Sequence, residues 1–144
     1  MTIQTAMSQT GSGPATGFDP RQARRATHRA RTFDSGLAAE RSAARHYLRA
    51  GMRFRAHRWR GAAGEIDIIF ADGDQLVFVE VKKARDFDRA RLALSPRQMQ
   101  RIARTAEEYV GGEPCGSLTD MRFDLAMVDA EGRVEILENA FGGA

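Results

Sequence analysis

Hydrophobic and polar side chains alternate along residues 64–82, a pattern that predicts two β-strands joined by a tight turn at residues 72–74. One face of this predicted hairpin is wholly aliphatic or aromatic, and its members are Ile66, Ile68, Phe70, Val77, Val79 and Val81. The opposite face carries three ionisable side chains, Asp67, Glu80 and Lys82. A hairpin does not need these groups to form, so they are the first candidates for a functional site.

The remaining periodic segments predict a single α/β domain over residues 33–144. Their predicted ranges are 34–49 and 95–110 for two helices, and 52–60, 122–128 and 133–137 for three strands. Asp34 or Ser35 is the expected start of the first helix, and Ser95-Pro96 is a strong start signal for the second. Residues 84–94, in which arginine and aspartate alternate, are expected to form a charged loop. The element order is helix, three strands, helix, strand, strand, which predicts a mixed sheet flanked by helices.

Residues 1–32 differ in composition from the rest of the chain. They contain five arginines against one aspartate, are rich in small residues, and have few large apolar ones. Such a segment cannot bury enough apolar surface to offset its ordering entropy, so we expect a disordered or at most transiently helical basic tail. Neither a signal-peptide core nor an apolar run of about 20 residues is present, and the single cysteine, Cys115, has no partner. These features predict a cytoplasmic protein with no membrane segment.

Charge is unevenly distributed within the predicted domain. The chain has a formal net charge of +3, but residues 41–60 contain seven arginines and no acid. One interpretation is a surface that follows a phosphate backbone, with Arg41, Arg45, Arg58 and Arg60 as contacts. The other is an arginine-rich solvated surface without a partner. The sequence leaves both open.

The two carboxylates of the hairpin are expected to be neighbours in either register that the turn allows. A turn centred on Gly73-Asp74 places Asp67 directly opposite Glu80. A turn centred on Asp72-Gly73, which the Asp-Gly preference of hairpins favours, places Asp67 opposite Phe78 and diagonal to Glu80. Only a slip of one residue would separate them, and it would also move the apolar face out of the core. Two adjacent carboxylates repel each other unless a positive charge lies between them. Lys82 is one candidate for that charge and a divalent cation is the other.

Hard cations such as Mg²⁺, or Mn²⁺ in its place, bind oxygen ligands and often take only one or two carboxylates from the protein. Asp67, Glu80 and the backbone carbonyl of Val81 meet that requirement, which leaves Lys82 to position water or to contact a phosphate. The alternative is a surface salt-bridge ladder between strands. Glu40 is a candidate third acid. Arg97 and Gln98, at the start of the second helix, are candidate substrate contacts.

Residues 36–123 resemble the YraN family of small bacterial proteins, which belongs to the restriction-endonuclease-like, PD-(D/E)xK nuclease superfamily. The most specific motifs are GEID at residues 64–67 and VFVEVK at residues 77–82. Further matching positions are Gly36, Glu40, Ala44, Tyr47-Leu48, Gly51, Trp59-Arg60, Gln98, Ala106, Tyr109 and Arg122-Phe123-Asp124. The chain departs from the family's usual residues at Arg58, Ala84 and Arg97, none of which is a proposed metal ligand.

The resemblance implies a restriction-endonuclease-like αβββαβ core and Mg²⁺-dependent hydrolysis of phosphodiester bonds in DNA, including branched DNA, or RNA. It places Asp67, Glu80 and Lys82 at the superfamily's catalytic positions and Glu40 at the helical acid of resolvase-like members. A distant similarity to archaeal Holliday-junction resolvases suggests a homodimer, although the sequence shows no clear dimer seam. Two other functions stay open at this point: a non-catalytic nucleic-acid-binding module, and an interaction protein whose acids only solvate the sheet.

Overall fold

The computed structural model describes residues 19–141, except for the side chains of residues 26–35. It divides into one unit that ends at Thr32 and a second that begins at Phe33. The second unit contains the sheet and the candidate site. Residues 1–18 of the expected tail lie outside the described part of the chain.

The first helix, α1, spans Pro20–Arg49 and begins earlier than predicted. The carboxylate of Asp19 accepts a hydrogen bond from the Arg21 amide at 2.8 Å, which caps the helix ahead of Pro20. The backbone from Pro20 onward is therefore helical, and the predicted start at Asp34 or Ser35 is wrong. The helix ends as predicted, before Gly51, whose φ of +85° is a left-handed conformation that glycine adopts easily.

A five-stranded mixed sheet forms the centre of the domain, as predicted. Its strands are β1 (Arg53–Arg60), β2 (Glu65–Asp72), β3 (Gln75–Lys83), β4 (Met121–Val128) and β5 (Val134–Phe141), in the spatial order β1-β2-β3-β4-β5. Neighbouring strands are antiparallel except β3 and β4, which are parallel. Parallel strands need a long crossover, and two helices, α2 (Phe87–Leu92) and α3 (Pro96–Val110), lie within it. The αβββαβ order implied by the resemblance is thus present.

The helix α2 lies where the sequence predicts a loop. Asp86 caps it by accepting a hydrogen bond from the Arg89 amide at 2.8 Å, and Ala90 is fully buried in the core. Charged residues surround Ala90, so this segment lacks the apolar periodicity that would predict a helix. By contrast, α3 begins as predicted at a capping box formed by Ser95 and Gln98.

Both faces of the sheet are buried. On one face Ala43 and Tyr47 of α1 pack against Ile68, Phe70, Val77 and Val79, and on the other Ile102, Ala106 and Val110 of α3 pack against Ile69, Leu76, Phe78 and Phe123. The hairpin's second face is therefore apolar near the turn and polar only at its far end. Asp67, Glu80 and Lys82 lie at that end, at the edge of the apolar core.

A buried carboxylate fastens α1 to the sheet. Asp124 is fully buried, and its oxygens accept hydrogen bonds from the Tyr47 hydroxyl at 2.8 Å, the Arg122 guanidinium at 2.9 Å and the Asn139 amide at 2.9 Å. Burial, followed by the charge of Asp124, raises the pKa of Tyr47, so its hydroxyl stays protonated and donates. The network joins α1, β4 and β5 and holds the helix that carries Glu40.

Candidate active site at the end of the central hairpin

The β2–β3 turn is centred on Gly73-Asp74. The pairs run from Asp72 opposite Gln75 to Ile68 opposite Val79, so the next step of the same register sets Asp67 against Glu80. Gly73 has a φ of +60°, as the first central residue of a type II′ turn requires. Of the two registers left open by the sequence, the one centred on Asp72-Gly73 is wrong.

The regular sheet pattern breaks at Asp67. Ile66 packs on the side of α3 while Ile68 packs on the side of α1, although regular alternation would put both on one face. In the adjacent β1, Arg58 stands at the corresponding register step and has a φ of +50°. The Asp67 carboxylate accepts a hydrogen bond from the Val81 backbone amide at 2.8 Å. Beyond the last backbone pair, Ile68 with Val79, the Asp67 side chain therefore connects β2 to β3. The bend therefore turns Asp67 towards β3.

Glu80 and Lys82 complete the arrangement on β3. Glu80 is 9% exposed, and the Lys82 ammonium Nζ lies 3.3 Å from its Oε1. Burial, and after it the charge of Asp67, raises the pKa of Glu80 to about 8, against an opposing effect of Lys82. Burial also raises the pKa of Asp67, and the charge of Glu40 adds to the rise, whereas the Val81 amide opposes it. Ionising both acids without a cation is thus unfavourable.

Glu40 faces the interior from α1 and is only 8% exposed. Its Oε2 lies 2.7 Å from His57 Nε2, and the Arg58 guanidinium donates to the same oxygen at 3.2 Å. The charge of Glu40 helps to raise the pKa of Asp67. Among the side chains that the structure describes, however, no three His, Cys, Asp or Glu residues are arranged to hold a metal ion. Glu40 is therefore held by His57 and Arg58 of β1, and it affects Asp67 through its charge.

The candidate nucleic-acid contacts differ in exposure and in their partners. Arg41 and Arg45 on α1 and Arg97 on α3 are exposed. Arg60 forms an ion pair with Glu65 at 2.8 Å, and Arg58 is held against Glu40. The side-chain oxygen of Gln98 accepts from the Ser95 amide at 3.3 Å, so part of this side chain serves the helix cap.

Two contacts near the site have no signal in the sequence. His57, to which the sequence assigns no role, contacts Glu40 and so joins β1 to α1. Hydrophobic periodicity does not predict which residues of a helix and a strand contact each other. The Glu108 carboxylate on α3 accepts from the amides of Ala62 and Ala63 at 2.8 and 2.9 Å, and fixes the loop that leads to Asp67. The glycine of GEID has a related role, since a Cβ on Gly64 would lie 2.8 Å from the Arg101 side chain. A close approach of loop and helix is the physical reason for that glycine.

No helix in the described part of the chain is both long and apolar enough to cross a membrane.

Comparison with known proteins identifies relatives over most of the chain. The model of the uncharacterised protein family UPF0102 matches residues 39–128. A UPF0102 protein of Roseobacter denitrificans is 55% identical over 108 residues, which are 75% of this chain and 84% of that protein. One from Ruegeria pomeroyi is also 55% identical, over 75% of this chain and 88% of its own length, and one from Cereibacter sphaeroides is 53% identical, over 74% and 92%. The chain belongs to the UPF0102 family, which is the YraN family that its motifs resemble.

Proposed function

We propose that this protein is a metal-dependent nuclease that hydrolyses phosphodiester bonds in DNA or RNA. The observation that carries the proposal is the meeting of Asp67, Glu80 and Lys82 where the core ends, with Glu80 nearly buried and its pKa raised to about 8. Neighbouring buried carboxylates with raised pKa values are candidates for functional sites. The resemblance to the PD-(D/E)xK superfamily supports the same chemistry.

The donor set suits a hard divalent cation. Two neighbouring carboxylates and the Val81 carbonyl offer oxygen ligands, and Mg²⁺ usually retains several waters instead of requiring a third acid. Asp67 and Glu80 are the residues that would hold Mg²⁺ or Mn²⁺. When bound, the ion would supply charge stabilisation at the phosphate and acidify a water ligand. A cation at this position also offsets the repulsion that raises the pKa values of both acids.

The other residues would bind and orient the substrate. The Lys82 ammonium, 3.3 Å from Glu80, donates to the attacking water or to a phosphate oxygen. His57 and Arg58 hold the Glu40 carboxylate, which lets Glu40 orient water from the α1 side. The exposed side chains of Arg41, Arg45, Arg60 and Arg97 would bind the phosphate backbone, with Gln98 as a further polar contact.

A non-catalytic nucleic-acid-binding module is the second candidate. It is favoured by the exposed arginines of α1 and by the position of Glu40, which is bound to β1 and forms no three-acid cluster with other described side chains. Such a module would bind nucleic acid in a salt-sensitive manner. Its binding would persist in EDTA, and no substrate would be cleaved.

A cleavage panel separates the two functions. Branched, flapped, single-stranded and duplex DNA and RNA would be incubated with and without Mn²⁺, and the protein compared with Asp67→Asn and with Asp72→Asn, a matched control whose carboxylate is exposed at the turn. We expect metal-dependent cleavage by the wild type and the control, and none by Asp67→Asn. Equal cleavage by Asp67→Asn would refute the proposed site. Binding without cleavage of any substrate would favour the second candidate.

A further inference from the structure

A concavity of about 300 Å³ lies between α1 and β1, directly beside the candidate site. Leu37 and Ala44 of α1 and Ile68 of β2 form an apolar surface within it. Glu40 and His57 also line it, so it shares the Glu40 carboxylate with the arrangement around Asp67. A ligand in the concavity would therefore lie next to the candidate catalytic groups.

Phe54 gives this concavity an aromatic wall. It is 53% exposed, which is unusual for a large aromatic side chain on a strand, and its ring meets that of Phe70 edge-on with centroids 6.0 Å apart. The buried Phe70 supports one edge of the ring. An exposed, supported aromatic ring is the feature on which proteins stack unpaired nucleobases.

The charge at the concavity suits a base that carries a phosphate. Arg41 lines the concavity and has an exposed side chain. Arg45 and Arg49 do not line it, because they face a separate concavity that Gly132 and Val134 also line. A flat aromatic group attached to a phosphodiester chain would use both the Phe54 ring and the Arg41 guanidinium, whereas an uncharged apolar ligand would gain nothing from Arg41.

We propose that this concavity binds one unpaired nucleobase of the substrate, stacked on Phe54. The substrate class is then single-stranded nucleic acid, or branched nucleic acid with unpaired nucleotides, rather than continuous duplex. In a duplex both faces of a base are covered by its neighbours, so stacking on a protein ring requires an unpaired or extruded nucleotide. The inference rests on the proposed function and specifies its substrate.

Binding in EDTA tests the base pocket without any cleavage. The probes are fluorescein-labelled 12-nucleotide oligomers followed by anisotropy: oligo(dT), oligo(rU), a DNA duplex and an abasic DNA strand with the same phosphates. We expect oligo(dT) or oligo(rU) to bind more tightly than the abasic strand. Phe54→Ala should weaken that binding by about 5- to 150-fold, which corresponds to the about 1–3 kcal/mol of one stacked base. Phe54→Trp should retain it.

Leu48→Ala is the matched control, because Leu48 is 52% exposed on α1 and does not line the concavity. Urea denaturation checks that Phe54→Ala is folded. If it is not, Ala44→Leu fills the concavity from α1 and should weaken single-strand binding alone. Equal binding of abasic and base-carrying strands, with no effect of either variant, would overturn the base pocket while leaving the nuclease proposal intact. Failure of every probe to bind at low salt in EDTA, together with no cleavage of any substrate in Mn²⁺, would overturn both.

Discussion

Replacing Glu80 by glutamine should stabilise the metal-free protein. Glu80 is 9% exposed, and burial together with the charge of Asp67 raises its pKa from 4.5 to about 8. Near neutral pH the unfolded chain has an ionised Glu80, whereas the folded protein must protonate this group or bury its charge. The glutamine amide has almost the same shape and removes that requirement. A residue kept for function at the expense of stability behaves in this way.

The sign and size of the effect follow from the two pKa values. Because the folded-state pKa is above the unfolded one, the penalty is absent below about pH 4.5 and grows until about pH 8. One pKa unit corresponds to about 1.4 kcal/mol, so the 2.5 units between 4.5 and pH 7 amount to about 3 kcal/mol. The pKa of about 8 already includes the opposing effect of Lys82. The gain in the free energy of unfolding expected for Glu80→Gln is therefore about 3 kcal/mol at pH 7 and less than about 1 kcal/mol at pH 5.

Urea denaturation in EDTA at pH 5 and pH 7 measures this difference directly. Glu107→Gln is the matched control, because the Glu107 side chain is exposed on α3 and its replacement should change the free energy of unfolding by less than about 0.5 kcal/mol. A Glu80→Gln variant that is less stable than the wild type at pH 7 would refute the reasoning. So would a gain of equal size at both pH values, since a gain unrelated to ionisation would have another cause.

Two further predictions concern the scaffold, both measured by the free energy of unfolding in urea. Tyr47→Phe should cost about 1–3 kcal/mol because it removes a hydrogen bond to the buried Asp124. Asp124→Ala should cost about 3–5 kcal/mol because it leaves Arg122 without its buried partner. A cost below about 1 kcal/mol for Asp124→Ala would show that the network does not hold α1. Gly64→Ala should cost about 1–3 kcal/mol, because its Cβ would lie 2.8 Å from Arg101 and 3.3 Å from Thr105. The double variant with Arg101→Ala should recover part of that loss, and no recovery would contradict a steric origin.

The hairpin was predictable because its pattern constrains it twice. Alternation predicted which side chains share a face, except at Ile66, which lies on the α3 side and not with Ile68 on the α1 side. The turn residues limited the register to two neighbouring choices. The local Asp-Gly preference favoured the wrong register, because Asp-Gly and Gly-Asp overlap at residues 72–74. The choice required the whole sheet, which pairs Ile68 with Val79 and leaves Asp67 at the bend.

The helices were predicted where a cap precedes an apolar stripe and missed where only one of these signals is present. Ser95-Pro96 is followed by a strongly amphipathic segment, and α3 lies where expected. Asp19-Pro20 is an equally good start signal, but the arginine-rich residues after it gave no apolar stripe to support it. The short helix α2 has one fully buried residue, Ala90, which is too little periodicity to recognise.

In the candidate site, too, some neighbours could be predicted from the sequence and others could not. Asp67, Glu80 and Lys82 lie on paired strands, so their proximity follows from register alone. The contacts of Glu40 with His57 and Arg58 depend on how α1 crosses β1 and on the left-handed backbone at Arg58. Packing between a helix and a strand distant in sequence has no local signature, and the role of His57 therefore appears only in the structure.

A calorimetric titration with Mn²⁺ measures whether Asp67 and Glu80 together hold a divalent cation, as we propose. We expect one Mn²⁺ site in the wild-type protein and in Glu107→Gln. In Asp67→Asn and in Glu80→Gln the Mn²⁺ affinity should fall by more than the about 10–100-fold that changes in outer-shell partners cause. Unchanged Mn²⁺ affinity in both of these variants would show that Asp67 and Glu80 do not hold the ion.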